Sequence, residues 1–105
     1  MLTTPLSTGE SMQIKWLNKA LKNLRDEAEY IAEKNPQAAQ LVVQRIHKTV
    51  LQLTEQPALG RAGRVHGTRE LIVPKTRYII PYRARNNTIE ILRVFHTSRK
   101  QPKCW

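Results

Sequence analysis

Apolar and polar positions change their period twice along this chain. After an opening stretch without periodicity, Gln13-Ile-Lys-Trp-Leu17 alternates well enough for a short strand. Leu17, Leu21, Leu24, Ala28 and Ile31 then step by four, three, four and three, which draws one stripe on a helix. Lys22, Arg25, Asp26, Glu29 and Glu33 fall on its other face, and Asn18 is the expected N-cap. Asn35-Pro36 ends this helix and starts a second, because proline disfavours helical geometry in the residue before it but suits a first turn. Ala39, Val43, Ile46, Val50 and Leu53 repeat the helical stepping, so the pair reads as an antiparallel helix hairpin. His47, beside Ile46, reads as structural or solvated.

From Gln56 to Gly67 the Pro and Gly content predicts a loop, carrying Arg61, Arg64 and His66. Its spacing is not that of a phosphate loop. Three strands are predicted next, over 68–73, 77–85 and 88–95. Pro74-Lys75-Thr76 turns the first pair, and Asn86-Asn87 suits a two-residue hairpin needing positive φ. That turn sets a register in which Arg83 faces Glu90, Tyr82 faces Ile91, Ile80 faces Arg93, Tyr78 faces Phe95 and Arg77 faces His96. One sheet face then holds Tyr78, Ile80, Tyr82, Ile91, Arg93 and Phe95; the other holds Ile79, Pro81, Leu92 and Val94. Both are largely apolar and the helix hairpin covers only one, which leaves the second as a candidate partner surface. Pro81 has no ladder N–H to give, so it either points its nitrogen away from a neighbour or marks a bulge. The expected fold class is α+β: an N-terminal strand and a helix hairpin packed on a mainly antiparallel sheet completed by three C-terminal strands.

The 105 residues suffice for one small domain, expected over 12–105, with 1–11 a disordered leader and Met12 a plausible start. Charge sharpens the picture. Residues 1–59 carry seven Lys/Arg and six Asp/Glu, a balance of +1; residues 60–105 carry eleven Lys/Arg and two Glu, a balance of +9. A basic sheet of this kind attracts a polyanion or an acidic protein. The single Cys104 excludes an internal disulfide and a cysteine zinc cluster, and His47, His66 and His96 lack metal-ligand spacing, so neither metal nor small-molecule cofactor is expected. No apolar run approaches the ~20 residues of a membrane span, and no secretory signal precedes the fold. A cytoplasmic location without a membrane partner is expected.

The order of helix hairpin, Gly-rich loop, Gly67-Thr68-Arg69-Glu70-Leu71, Tyr78-Ile79-Ile80-Pro81-Tyr82-Arg83 and Ile89-Glu90-Ile91-Leu92-Arg93-Val94-Phe95-His96-x-x-Arg99 resembles the RelE/ParE superfamily of bacterial toxins. Asn35-Pro36-x-Ala38-Ala39 and Gln56-Pro57-x-x-Gly60-Arg61 match as well, and the likeness runs from about Ile14 to Pro102. It implies the toxin of a type II toxin–antitoxin pair, arresting growth when its cognate antitoxin is absent. The ParE-like branch poisons DNA gyrase; the RelE-like branch cleaves mRNA on the ribosome. RNA cleavage needs a base, an acid and cations for the phosphorane charge. The basic positions of the ribonuclease branch fall here at Glu70, Ile72 and Ile79, a departure that favours the ParE-like branch, as does the long, closely joined helix hairpin. If the chain is RelE-like, the catalytic candidates are His96, Arg99 and Arg77. If it is ParE-like, the target-binding candidates are Arg61, Arg64, Arg99, Lys100, Lys103 and Trp105, with Trp105 either anchoring on a partner or covering the sheet edge. Glu70 reads as an ion-pair partner for a neighbouring Arg, with a role as base the alternative. Tyr78 and Tyr82 read as core, with base stacking the alternative. A third reading is a non-toxic basic nucleic-acid-binding domain, although no nucleic-acid-reading motif is present.

Overall fold

A computed structural model describes residues 12–100, 102, 104 and 105. Strand β1 (Gln13–Trp16) leads into helices α1 (Asn18–Lys34) and α2 (Pro36–Leu51) and a 3-10 turn (Gln52–Thr54). Strands β2 (Arg61–Ala62), β3 (Arg69–Ile72), β4 (Tyr78–Arg85), β5 (Thr88–Ile91) and β6 (Phe95–His96) follow. The sheet order is β1-β5-β4-β3-β2, with β6 pairing β4. All pairs are antiparallel except β1 with β5, where Ile14 lies opposite Ile89 and Trp16 opposite Ile91. The architecture is α+β, as the periodicity predicts. Both the leader and Lys103 lie outside the described residues.

The helix hairpin turns on one residue. The Asn35 N–H donates to the Ile31 carbonyl at 2.8 Å and closes α1, while its side-chain oxygen accepts from the Ala38 N–H at 3.1 Å and caps α2. At the other end the sequence expectation fails. Leu17 is the N-cap of α1, and its own N–H donates to the Ile91 carbonyl at 3.1 Å. The sheet thus holds the chain extended up to Leu17 and leaves Asn18 inside the first turn. The buried face of α1 is rotated accordingly. Ala20 and Glu27 are buried with Leu24 and Ile31 partly so, whereas Leu21 is 46 % exposed.

The core lies between the hairpin and one sheet face. Ala20, Ile46, Val50 and Leu53 pack with Leu71, Val73, Tyr78, Ile80, Tyr82, Ile89, Ile91 and Val94. Tyr82 is fully buried, and its hydroxyl donates to the Pro57 carbonyl at 2.7 Å and accepts from the Gly60 N–H at 2.8 Å. A Cβ at Gly60 would stand 2.7 Å from the Tyr82 ring, so this approach requires glycine.

The hairpin turn forms as predicted, with Asn86 at φ 53° and Asn87 at φ 59°, and Arg83 faces Glu90 while Tyr82 faces Ile91. Beyond Leu92 the predicted register is wrong by one residue. The Leu92 N–H donates to the Pro81 carbonyl at 2.9 Å, but Phe95 then pairs with Ile79 and His96 with Tyr78. Three steps on one strand span two on the other, which is a bulge. Pro81 cannot return a hydrogen bond to Leu92, so the ladder is already weak there. The displaced Val94 N–H donates to the Asn23 side-chain oxygen of α1 at 3.3 Å, and Arg93 Nε donates to the same atom at 2.7 Å.

The slip reassigns faces. Val94 enters the core, His96 moves beside Tyr78, and Phe95 joins Ile79, Pro81 and Leu92 on the face away from the helices. That second face is not open as expected: Ile79, Pro81, Leu92 and Phe95 are buried, and the Trp105 ring packs edge-on against Phe95 at 5.3 Å. The stretch expected to be only loop also contributes β2, which pairs Arg61 with Glu70 and Ala62 with Arg69.

Candidate functional site

The bulge and the turn after β6 bring three candidate residues together. Arg77, His96 and Arg99 line one cleft of about 430 Å³ with Glu27, Tyr30, Thr76, Tyr78 and Ser98. Two backbone contacts build it. The Thr97 N–H donates to the Arg77 carbonyl at 2.8 Å, and the Arg99 N–H donates to the His96 carbonyl at 3.1 Å. The second contact folds Arg99 back toward α1, where its guanidinium meets Glu27 at 2.5 Å. His96 sets its ring edge-on to Tyr78 at 5.0 Å, and its Nδ1 accepts from the Ser98 N–H at 3.2 Å with Ser98 Oγ at 2.6 Å.

At the floor lies a buried carboxylate. Glu27 is 7 % exposed, with Oε1 accepting from the Tyr78 hydroxyl at 2.8 Å and Oε2 from Arg99. Burial, then the hydrogen bond and charge of Glu27, push the Tyr78 phenol well above the ordinary tyrosine range. Tyr78 therefore holds its proton. The Glu27 hydrogen bond also raises the Arg99 pKa, so that guanidinium stays charged but committed. Sequence reasoning missed Glu27 and Ser98. The available signal was spacing: Ala20, Leu24, Glu27 and Ile31 step by four, three and four, which places a carboxylate on a core stripe.

Among the described target-binding candidates, Arg99 lines the cleft, whereas Arg61 and Arg64 meet at Glu70 and Arg64 meets Trp105. Arg61 pairs with Glu70 at 3.2 Å, and the second Glu70 oxygen accepts from the Arg64 N–H at 3.1 Å. Glu70 is 4 % exposed and holds the loop to β3, which is the ion-pair role expected of it. The Arg64 guanidinium stacks on Trp105 at 5.5 Å and donates to the Pro102 carbonyl. Lys100 is exposed. Tyr82 is sealed in the core rather than offered for stacking. Among the described residues no cluster of His, Cys, Asp and Glu has the makings of a metal site, and no helix is long and apolar enough to cross a membrane.

Known proteins are similar to this chain in sequence and in fold. Residues 14–101 match the family model described as the ParE toxin of the parDE type II toxin–antitoxin system. The chain is 43 % identical to the Y4kP protein of Sinorhizobium fredii over 87 % of this chain and 94 % of that one. It is 30 % identical to toxin RelE2 of Caulobacter vibrioides over 83 % of this chain and 97 % of that one. The fold superposes on a chain of the chromosomal ParDE toxin–antitoxin system of P. aeruginosa with a TM-score of 0.75 and 29 % identity, covering 83 % of this chain and 97 % of the other. A chain of the RelBE2 toxin–antitoxin complex of Mycobacterium tuberculosis shares the fold at a TM-score of 0.56 and 22 % identity, over 82 % and 91 % of the two chains. The matched model spans most of the chain, which therefore belongs to the ParE toxin family of type II toxin–antitoxin systems.

Proposed function

We propose that this chain acts in the cytoplasm as a growth-arresting toxin, that a cognate antitoxin holds it inactive, and that its target is DNA gyrase. The observation that carries this reading is the state of the positions where the ribonuclease branch bears basic residues. Glu70 is a buried acid occupied by Arg61 and the Arg64 N–H, and Ile79 is buried apolar surface. Neither is a cation for a phosphorane. Toxicity then rests on surface contacts rather than a catalytic constellation, with Arg61, Arg64, Arg99, Lys100, Lys103 and Trp105 the candidates.

A second reading, ribosome-dependent mRNA cleavage, is favoured by one observation: Arg77, His96 and Arg99 line the same cleft. There His96 would be the acid for the leaving oxygen, with Arg77 and Arg99 opposing the developing charge. Against it, both oxygens of the nearest carboxylate, Glu27, are already taken by Tyr78 and Arg99.

Induction of residues 12–105 in a bacterium, followed by pulse-labelling with thymidine and an amino acid, separates the two. The gyrase reading expects DNA synthesis to fall first, with a DNA-damage response, and expects His96→Ala to retain growth arrest within about threefold. A prior fall in protein synthesis, abolished by His96→Ala, sinks it in favour of the nuclease.

A further inference from the structure

Three cations without an acid lie together where α2 meets the turn between β3 and β4. Arg45 and Lys48 stand three residues apart on one face of α2, within its last two turns, and Lys75 sits in the turn itself. With Thr49, Gln52 and Pro74 they line a cleft of about 250 Å³. Among the described residues the ion pairs engage Lys22, Arg61, Arg83, Arg85 and Arg99, and none engages these three. Lys48 suits the negative end of the α2 dipole, but the dipole does not call for two more cations beside it. Lys75 is also held at φ 63°, in the left-handed region that glycine accepts and longer side chains resist. The turn fixes it there. The Thr76 N–H donates to the Val73 carbonyl at 3.3 Å, Thr76 Oγ1 donates to the same oxygen at 2.8 Å, and the Tyr78 N–H donates to Thr76 Oγ1 at 3.1 Å. A glycine at this position makes such a turn without strain. One cleft thus combines backbone strain with like-charge repulsion, and a bound anion relieves the repulsion.

We propose that this cleft seats the phosphate backbone of duplex DNA, with Arg45, Lys48 and Lys75 opposing the phosphate charge and the Gln52 amide adding a neutral donor. The setting rests on the gyrase reading above, because gyrase works on duplex DNA; the contact itself needs only this chain. The lining identifies the occupant. Among the described residues that form it, Pro74 is the only apolar one, and none is aromatic or acidic. A protein partner anchors on apolar or aromatic side chains, and a single strand stacks its bases on aromatic rings. Neither finds a foothold here. A phosphate backbone asks only for charge and hydrogen-bond donors, and it is held without regard to sequence. Counting charge by halves of the chain does not reveal the cleft, because Arg45 and Lys48 come from the nearly neutral half.

The test is fluorescence anisotropy of a short labelled DNA duplex with the full chain. Lys75→Gly removes the charge and the strain together. It should weaken binding about threefold at low salt and leave Tm unchanged or raised, so unfolding does not account for the loss. The triple variant Arg45→Gln, Lys48→Gln, Lys75→Gly should bind roughly thirtyfold more weakly, and its plot of log affinity against log salt should be shallower by about three. Arg85→Gln, at the far end of β4, also removes one charge and should change affinity by less than about twofold. A Lys75→Gly chain that binds the duplex like the parent, or a triple variant no weaker than Arg85→Gln, overturns the proposal. So does a preference for single-stranded RNA that the triple variant loses, which assigns the cleft to RNA. A triple variant that loses its antitoxin but keeps DNA also overturns it and assigns the cleft to a protein. The pulse-labelling described above keeps the two claims apart. If DNA synthesis falls first while the triple variant keeps its DNA affinity, the cleft fails and the gyrase reading stands. If protein synthesis falls first while the triple variant loses its DNA affinity, the cleft stands and the gyrase reading fails.

Discussion

Two buried glutamates organise the two ends of this sheet, and they do so differently. Glu27 comes from a helix and gathers a phenol and a guanidinium from residues far along the chain. Glu70 comes from a strand and gathers the guanidinium of Arg61 in β2 and a backbone N–H from the loop after it. Both arginines are more than half exposed, Arg99 at 55 % and Arg61 at 57 %, so their ion pairs add little stability by themselves. What differs is the other partner. Glu27 satisfies a hydroxyl buried in the core, whereas Glu70 satisfies an amide in an exposed loop. The first acid is a keystone for packing and the second a clasp for a loop. Part of the chain's large positive charge is thus answered internally, which narrows the cations available to a target.

The difference predicts unequal costs. Glu27→Ala should lower stability by about 2–3 kcal/mol, because it strands the Tyr78 hydroxyl and removes a buried side chain from the core face of α1. The sharper check is a rescue. Adding Tyr78→Phe removes the stranded hydroxyl and should recover about 1 kcal/mol in urea unfolding. Additive losses would show that the hydroxyl does not depend on Glu27. Glu70→Gln should cost less, about 1 kcal/mol, since an amide oxygen can still accept from the Arg64 N–H. Its effect should appear as faster amide exchange across 61–68 with little change in the core. Equal stability losses at both sites would erase the distinction drawn here.

The same contrast explains what was legible in the sequence. The Asn35-Pro36 break, the Asn86-Asn87 turn and the Glu70 clasp involve partners close in sequence, where periodicity and turn chemistry suffice. The bulge was not legible, because its freed Val94 N–H is taken by Asn23, 71 residues away. Pro81 hinted at a bulge without saying on which strand. Glu27 was missed for the same reason: its partners Tyr78 and Arg99 lie 51 and 72 residues off. The one-residue slip then mattered out of proportion. It moved Phe95 to the second face, where Trp105 covers it, and set His96 beside Tyr78 rather than opposite Arg77. The cleft therefore gathers the predicted His96, Arg77 and Arg99 by a register that spacing alone did not give.

The smallest expected effects are those of pH, and their signs separate the two ends again. Tyr78 has a raised pKa in the fold, so its contribution is fully present below the ordinary tyrosine value of about 10 and is lost as pH rises beyond it. The fall in Tm on the alkaline side should be shallower in Tyr78→Phe than in the parent. Glu90 behaves in the opposite sense. Its carboxylate accepts from Arg83 Nε at 2.6 Å, with Arg85 Nε at 3.4 Å, and the Arg83 hydrogen bond lowers its pKa. A depressed carboxylate stabilises above its unfolded value of about 4.3 and loses that contribution as pH falls through its folded value. Arg83→Gln should therefore lower Tm slightly at neutral pH, and the gap to the parent should close on acidification below about pH 4. Salt should narrow the same gap at neutral pH, because Arg83 reaches solvent while the Glu27 and Glu70 sites lie deeper. A gap that persists at low pH and high salt would mean that Arg83 acts by packing its stem along the sheet, and that this pair, unlike the two buried glutamates, owes nothing to charge.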